Sequence, residues 1–164
     1  MSESNKSRQT PYSRGTNHGK PFYQKGGGAN MKQLPIPQKV QYYTDQAKKN
    51  LDSALLESRS AEWAKDFGEA LKSSQLRRFY DDLKAIERKI MMGNQEENFE
   101  RDRSLIALFK AKSVYAEKRK VSPPSFTQFI FDHVASINDL KDFKAFLKVF
   151  EAVVAYHKFF SSEK

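Results

Sequence analysis

Twenty-nine lysines and arginines outnumber twenty acidic residues in this chain, and the spacing of a few of these cations is where chemistry could be done. Arg77, Lys84 and Arg88 recur at i, i+7 and i+11, which places them on one line along a helix, with Arg78 beside the first of them. Lys110, Lys112 and Arg119 stand on the next helical stretch, and Lys158 near the end of the last. Cations ranged along a helix edge can follow a phosphate backbone, whose charges repeat whatever the bases are. The alternative for the stripe is an ordinary solvated face, since Asp81 lies four residues after Arg77 and can pair with it.

Other chemistries lack their parts. The three histidines are His18, His133 and His157, and no two have the i, i+4 spacing or the nearby carboxylates of a helical metal site. His157 falls on an apolar face and reads as a core histidine hydrogen-bonded to a neighbour. The adjacent carboxylates Asp81-Asp82 and Glu96-Glu97 point in different directions on a helix and make no acid/base dyad. There is no cysteine, and no Walker-type, Gly-x-Ser-x-Gly or His-Glu-x-x-His signature. Neither catalysis nor a metal or cofactor is expected. No apolar run approaches the ~20 residues of a membrane span, and MSESNKSRQT has no apolar signal-peptide core. An intracellular, cytoplasmic protein without a membrane anchor is the expectation.

The net charge of +9 is concentrated. Met1 to Gln38 carries six basic residues and one acidic, Arg101 to Lys120 seven and two, and the remainder sums to −1. Two basic segments suggest a polyanionic partner. The first segment, residues 1–38, holds five of the seven glycines and four of the six prolines with only scattered apolar residues. It reads as a disordered basic tail, because it cannot bury enough surface to offset the entropy of ordering. Within it Tyr12, Phe22 and Tyr23 alternate with Arg14, Lys20 and Lys25, a pattern that could stack on unpaired bases. Gly26-Gly27-Gly28 has no strand before it and no Gly-Lys-Ser/Thr after it, so it is no phosphate loop.

The elements that must position the cations fill residues 39–164, read as an all-α compact bundle of five to six helices. The last of them organises the rest. In Asp142 to Phe160, Phe143, Phe146, Leu147, Phe150, Val153, Val154 and His157 share one face, with Lys144, Lys148, Glu151 and Lys158 opposite. Val149, Tyr156 and Phe160 widen the apolar arc, so this helix should be a buried central post, opened by Asn138 or Asp139. Upstream, Ala47, Leu51, Ala54 and Leu55 suggest a helix from about Tyr43, capped by Thr44 or Asp45. Trp63, Ala64, Phe67 and Leu71 suggest a second over Ser60 to Leu71, with Gly68 as its weak point, the two forming one kinked helix. Ser73 or Ser74 should cap a helix running to about Met92, with Leu76, Phe79, Tyr80, Leu83, Ile86 and Ile90 buried and Gly93-Asn94 ending it.

Glu96 to Lys118 follows, with Leu105, Leu108, Phe109, Tyr115 and Ala116 as its apolar face. Lys112 lies inside that arc, so it must snorkel past the core edge or present its ammonium to a ligand phosphate. Ser122-Pro123-Pro124 is a stop, and Ser125 should cap a short helix carrying Phe126, Phe129, Ile130, His133, Val134 and Ile137.

Three blocks carry a family resemblance. Ser73-Ser74-Gln75-Leu76-Arg77-Arg78-Phe79-Tyr80-Asp81, then Leu108-Phe109-Lys110-Ala111-Lys112-Ser113-Val114-Tyr115-Ala116, then Phe143-Lys144-Ala145-Phe146 continuing through Phe150-Glu151-Ala152-Val153-Val154-Ala155-Tyr156-His157-Lys158 stand in order. Together they resemble the hallmark blocks of the small α-helical subunit of the type III-A (Csm) CRISPR-Cas effector complex, the last block being the most specific. The resemblance implies a non-catalytic subunit of a ribonucleoprotein in antiviral defence, present in several copies. Its implied partners are guide (CRISPR) RNA, target RNA, the backbone and large subunits of the complex, and further copies of itself. Arg77, Lys110, Lys112 and Arg119 match basic positions in or beside the family-like blocks, and Lys158 lies in the third. Arg78, Lys84 and Arg88 extend the set by the helical wheel. The long N-terminal tail is a departure from the compact family pattern. Two rivals stand beside this reading: a helical adaptor that binds proteins without RNA, and a single-strand RNA factor whose tail is the main binder.

Overall fold

The structure is a computed structural model and describes residues 32–161. The tail's aromatic and basic residues up to Met31 lie outside the described residues. From Leu34 onward the chain forms one compact unit of five α-helices: α1 (Ser60–Phe67), α2 (Ser73–Ile90), α3 (Gln95–Lys118), α4 (Pro124–Ser136) and α5 (Leu140–Phe160). Among the described residues there is no strand, only an isolated antiparallel bridge between Tyr43 and Leu51. The all-α reading is therefore what the chain adopts.

The helix α5 is the post the periodicity predicted. Asp139 is its N-cap, its carboxylate accepting the Asp142 N–H at 2.9 Å. Asp142 in turn accepts the Asn138 N–H at 3.0 Å, so two of the amides at this helix start are satisfied by side chains. Phe143, Phe146, Leu147, Val149, Phe150, Val153 and His157 are buried, and Lys148, Glu151 and Lys158 are exposed. The backbone of α5 packs on α1, α2 and α3, and its Phe146 and Phe150 reach Phe129 of α4 at ring distances of 6.1 and 5.6 Å. Phe126 joins them and meets Phe67 of α1 and Phe79 of α2 edge-on. This phenylalanine cluster ties four helices together, with each ring contributing about 2–3 kcal/mol by burial.

The stretch expected to be helical from Tyr43 is instead a loop. Asp45 does cap, but its carboxylate accepts the Lys49 and Asn50 amides of its own loop. Lys48 takes a positive φ of 54°, which no α-helix admits. The segment is strapped to the bundle by side chains: the Val40 N–H donates to Ser136 Oγ, Tyr43 donates to the Lys141 carbonyl, and Lys48 reaches both Asp139 and Asp142 of the α5 start at 2.6 and 2.7 Å. Residues before Val40, expected to belong to the tail, already lie on α4, where Gln128 donates to the Ile36 carbonyl and the Gln38 N–H to Asp132.

Helix α1 is entered through a π-helical turn (Leu55–Arg59). The buried Ser60 hydroxyl donates to the Leu55 carbonyl, five residues back, taking a group the wider turn loosens. So the two expected segments do join in one irregular helix, which starts later than expected. Gly68 ends it with φ 50° and ψ −154°, a backbone state that essentially only glycine adopts. The freed Gly68 carbonyl accepts Nε2–H of His157 at 3.1 Å, and Nδ1 of the same ring meets Ser73 Oγ at 3.4 Å. His157 is thus the hydrogen-bonded core histidine expected, locking the α1 end to the last turns of α5.

Caps elsewhere differ from expectation. Ser73 is the first helical residue of α2 and Lys72 its N-cap. Pro124 opens α4, where its missing N–H costs nothing, and Ser125 instead donates to the Asp66 carbonyl. At the other end of α2, buried Asn98 of α3 donates to the Ile90 and Met92 carbonyls, satisfying acceptors that the helix end leaves open.

Candidate nucleic-acid interface

Helices α2 and α3 run antiparallel through a short turn at Gly93. Their orientation decides where the cations point. Leu76, Phe79, Leu83, Ile86 and Ile90 of α2 are buried, which leaves Arg78 and Asp82 on the flank toward α3 and Arg77 and Arg88 on the outer surface. The α3 face differs from the expected one. Phe99, Ile106, Phe109, Ser113 and Ala116 are buried, while Leu108 and Tyr115 are 51 and 64 % exposed. The buried face is therefore rotated by roughly 80° from the expected arc. The apolar residues of α3 are spread around the helix, and two buried positions are polar: Asn98, described above, and Ser113, whose hydroxyl donates to the Lys110 carbonyl.

That rotation moves Lys112 to the rim. Its stem crosses the edge of the core, its ammonium lies 4.7 Å from the Phe109 ring centre, and it meets the Asp82 carboxylate at 3.0 Å. Here α2 and α3 enclose a cleft of about 200 Å³, lined by Gln75, Arg78 and Asp82 from α2 and Lys112, Tyr115 and Arg119 from α3. The Arg119 guanidinium sits 5.6 Å from the Tyr115 ring centre. Three of the predicted cations, Arg78, Lys112 and Arg119, are thus brought together from positions far apart in the chain.

The others are distributed. Arg77 and Arg88 stand exposed on α2, and with Arg78 and Arg119 they make no ion pair among the described residues. Lys84 is half-buried on the α5 flank and bonded to Glu87, which holds its ammonium above the usual lysine range. Lys110 lies on the α4 side of α3, over the Phe131 ring at 5.5 Å. Lys158 is exposed at the end of α5. The cleft therefore collects three of the eight cations; Arg77, Lys84 and Arg88 follow one line along α2 outside it, with Lys84 tied to Glu87, and Lys110 and Lys158 face elsewhere. Tyr115, Gln75 and Asp82 were not read as site residues. Tyr115 had been counted as core, and its i, i+4 spacing to Arg119 is the signal that could have found it.

A family model described as Csm2 Type III-A matches residues 50–163. The chain belongs to the Csm2 Type III-A family. The match covers α1 to α5 and leaves out the segment before Asn50. No curated protein and no solved structure matches the chain. Family membership makes it a small subunit of the type III-A Csm effector complex, a structural role beside other subunits. The family resemblance carried by the three blocks is thereby borne out. Among the described residues no helix is long and apolar enough to cross a membrane, and no group of acidic residues and histidines is arranged to hold a metal ion.

A second surface adjoins the first across Tyr115. Leu34, Ala107, Leu108, Ala111, Val114, Tyr115 and Phe131 line an open apolar groove of about 720 Å³, with Lys110 and Lys118 at its margin. It runs along the exposed side of α3.

Proposed function

We propose that this non-catalytic subunit holds guide and target RNA sequence-independently through the α2/α3 edge. The observation that carries the reading is that Arg78, Lys112 and Arg119 line one cleft, with Arg77 and Arg88 exposed along the outer face of α2 and in no ion pair among the described residues. Phosphates released from their counterions by these cations supply affinity without reading bases, and sequence is left to guide pairing. Lys84, tied to Glu87, and Lys110 and Lys158, which lie off this edge, add little to it. Several copies of the subunit along one RNA multiply modest contacts into tight binding. The basic residues of the N-terminal segment add a second cationic element, and the work is done in the cytoplasm.

The apolar groove on α3 favours a complementary role for the neighbouring face: contact with another subunit of the complex. The two surfaces share Tyr115, so one helix serves RNA on its α2 flank and protein on its outer side. The test of the RNA reading is the combined variant R78A/K112A/R119A in the full chain. It should weaken binding of unrelated RNA sequences equally and lower the magnitude of the log–log salt slope by about 2 for single strands. A loss confined to some sequences, or an unchanged slope, overturns it.

A further inference from the structure

The cleft holds more than cations, and its extra parts suit one ligand. Tyr115 lines the cleft and is 64 % exposed as a residue. The Arg119 guanidinium lies over one side of it at 5.6 Å from the ring centre. An exposed ring backed by a cation is a stacking platform for a planar base. Beneath it the floor is apolar, made by Phe79, Ala116 and Val121, and Gln75 supplies an amide at the wall. The volume of about 200 Å³ leaves room for a planar ring against this floor.

The Asp82–Lys112 pair completes the site. Asp82 is the one carboxylate lining the cleft, and it holds Lys112 at 3.0 Å with both side chains close to half exposed. An exposed pair of this kind is weak and exchanges readily with a competing anion. Arg78 and Arg119 line the same cleft, so a phosphate taken up there would have further cations beside Lys112.

We propose that the α2/α3 cleft seats a single unpaired nucleotide, its base stacked on Tyr115 and its phosphate replacing the Asp82 carboxylate on Lys112. The inference rests on the RNA-binding reading above and narrows it: the edge prefers a strand with a base free to leave the stack over a continuous duplex. Asp82 then acts as an internal counterion that keeps Lys112 oriented and lowers its attraction for nucleic acid in general.

The experiment uses the full chain with fluorescently labelled single-stranded RNA and a blunt RNA duplex of the same length, and a second single strand carrying 2-aminopurine. Tyr115→Ala should lose about tenfold in affinity for the single strand and nothing for the duplex, and should abolish the 2-aminopurine quenching. Tyr115→Phe should keep both. Asp82→Asn should tighten both RNAs a few-fold and steepen their salt dependence. If the wild-type chain binds both RNAs while Tyr115→Ala is silent, or weakens them equally, the nucleotide pocket is overturned and the electrostatic edge stands. If the wild-type chain retains neither RNA, the edge reading fails and the pocket with it.

Discussion

The two ends of the charge inventory behave differently. Around the start of α5 every cation is engaged in holding the fold: Lys48 bridges Asp139 and Asp142, Lys141 donates to the Ala47 carbonyl, and Lys144 donates to Gln95. Burial opposes ionisation of Asp139, but the Lys48 hydrogen bond and the Asp142 amide outweigh it and hold its carboxyl below the usual range. Along the α2/α3 edge, by contrast, Arg77, Arg78, Arg88 and Arg119 have no carboxylate among the described residues, and Lys112 has one that is half exposed. Charges of the first kind are part of the architecture, and those of the second kind are kept available. The comparison teaches that the basic excess is divided by whether the fold ties each cation to a polar partner on another segment, which composition alone does not disclose.

The comparison can be broken by substitution. The largest effect is expected in the phenylalanine cluster, where Phe150→Ala removes a fully buried ring that touches Phe126, Phe129, Phe146 and Tyr80. It should cost about 3–5 kcal/mol, read as a fall in the urea midpoint at unchanged slope. RNA affinity of the fraction still folded should not change.

The next effect is a pH dependence that belongs to the architecture alone. His133 is wholly buried among Tyr42, Trp63, Phe129 and Phe146. Burial, aided by the Arg59 charge, lowers its pKa from 6.5 to about 3. The ring is neutral: its Nδ1 shares a hydrogen bond with Tyr42 Oη at 2.9 Å, and its Nε2 has no partner among the described residues. Because the folded pKa lies below the unfolded one, this stability is complete above pH 6.5 and is lost as pH falls toward 3. The unfolded chain then takes up a proton that the folded chain refuses. Between pH 6.5 and 5 unfolding free energy should drop by about 1.6 kcal/mol in all, the slope steepening toward about 1.4 kcal/mol per pH unit. In His133→Phe the slope over that window should vanish, and an unchanged slope would assign it to other groups.

Asn98→Ala should cost about 1–2 kcal/mol by exposing the buried Ile90 carbonyl to no partner, measured by thermal melting. Smallest of all is Arg77→Ala, which should alter stability by no more than about 0.5 kcal/mol.

How far the sequence discloses this division depends on the element. The helix α5 was legible to its cap because its apolar residues lie on one wide arc and Asp139 precedes it; α2 was legible for the same reason, save that Ser73 sits inside the helix rather than at its cap. Helix α3 hid its buried face, because Asn98 and Ser113 enter the core through hydrogen bonds to backbone carbonyls that hydropathy cannot register. The loop at Asp45 read as a helix because Ala47 and Leu51 mimic the spacing, while the contacts that decide it, Lys48 with Asp139 and Asp142, lie some ninety residues away. For the candidate site, the cation types were legible and their grouping was not. Which of them share a cleft follows from the rotation of α3 about its axis.

The measurement closest to the central claim takes the combined variant R78A/K112A/R119A and reads its melting temperature and its RNA affinity side by side. The account predicts an unchanged melting temperature and a loss of RNA affinity that is the same for unrelated sequences. A protein that melts lower and binds RNA as before would show that these cations belong to the architecture after all.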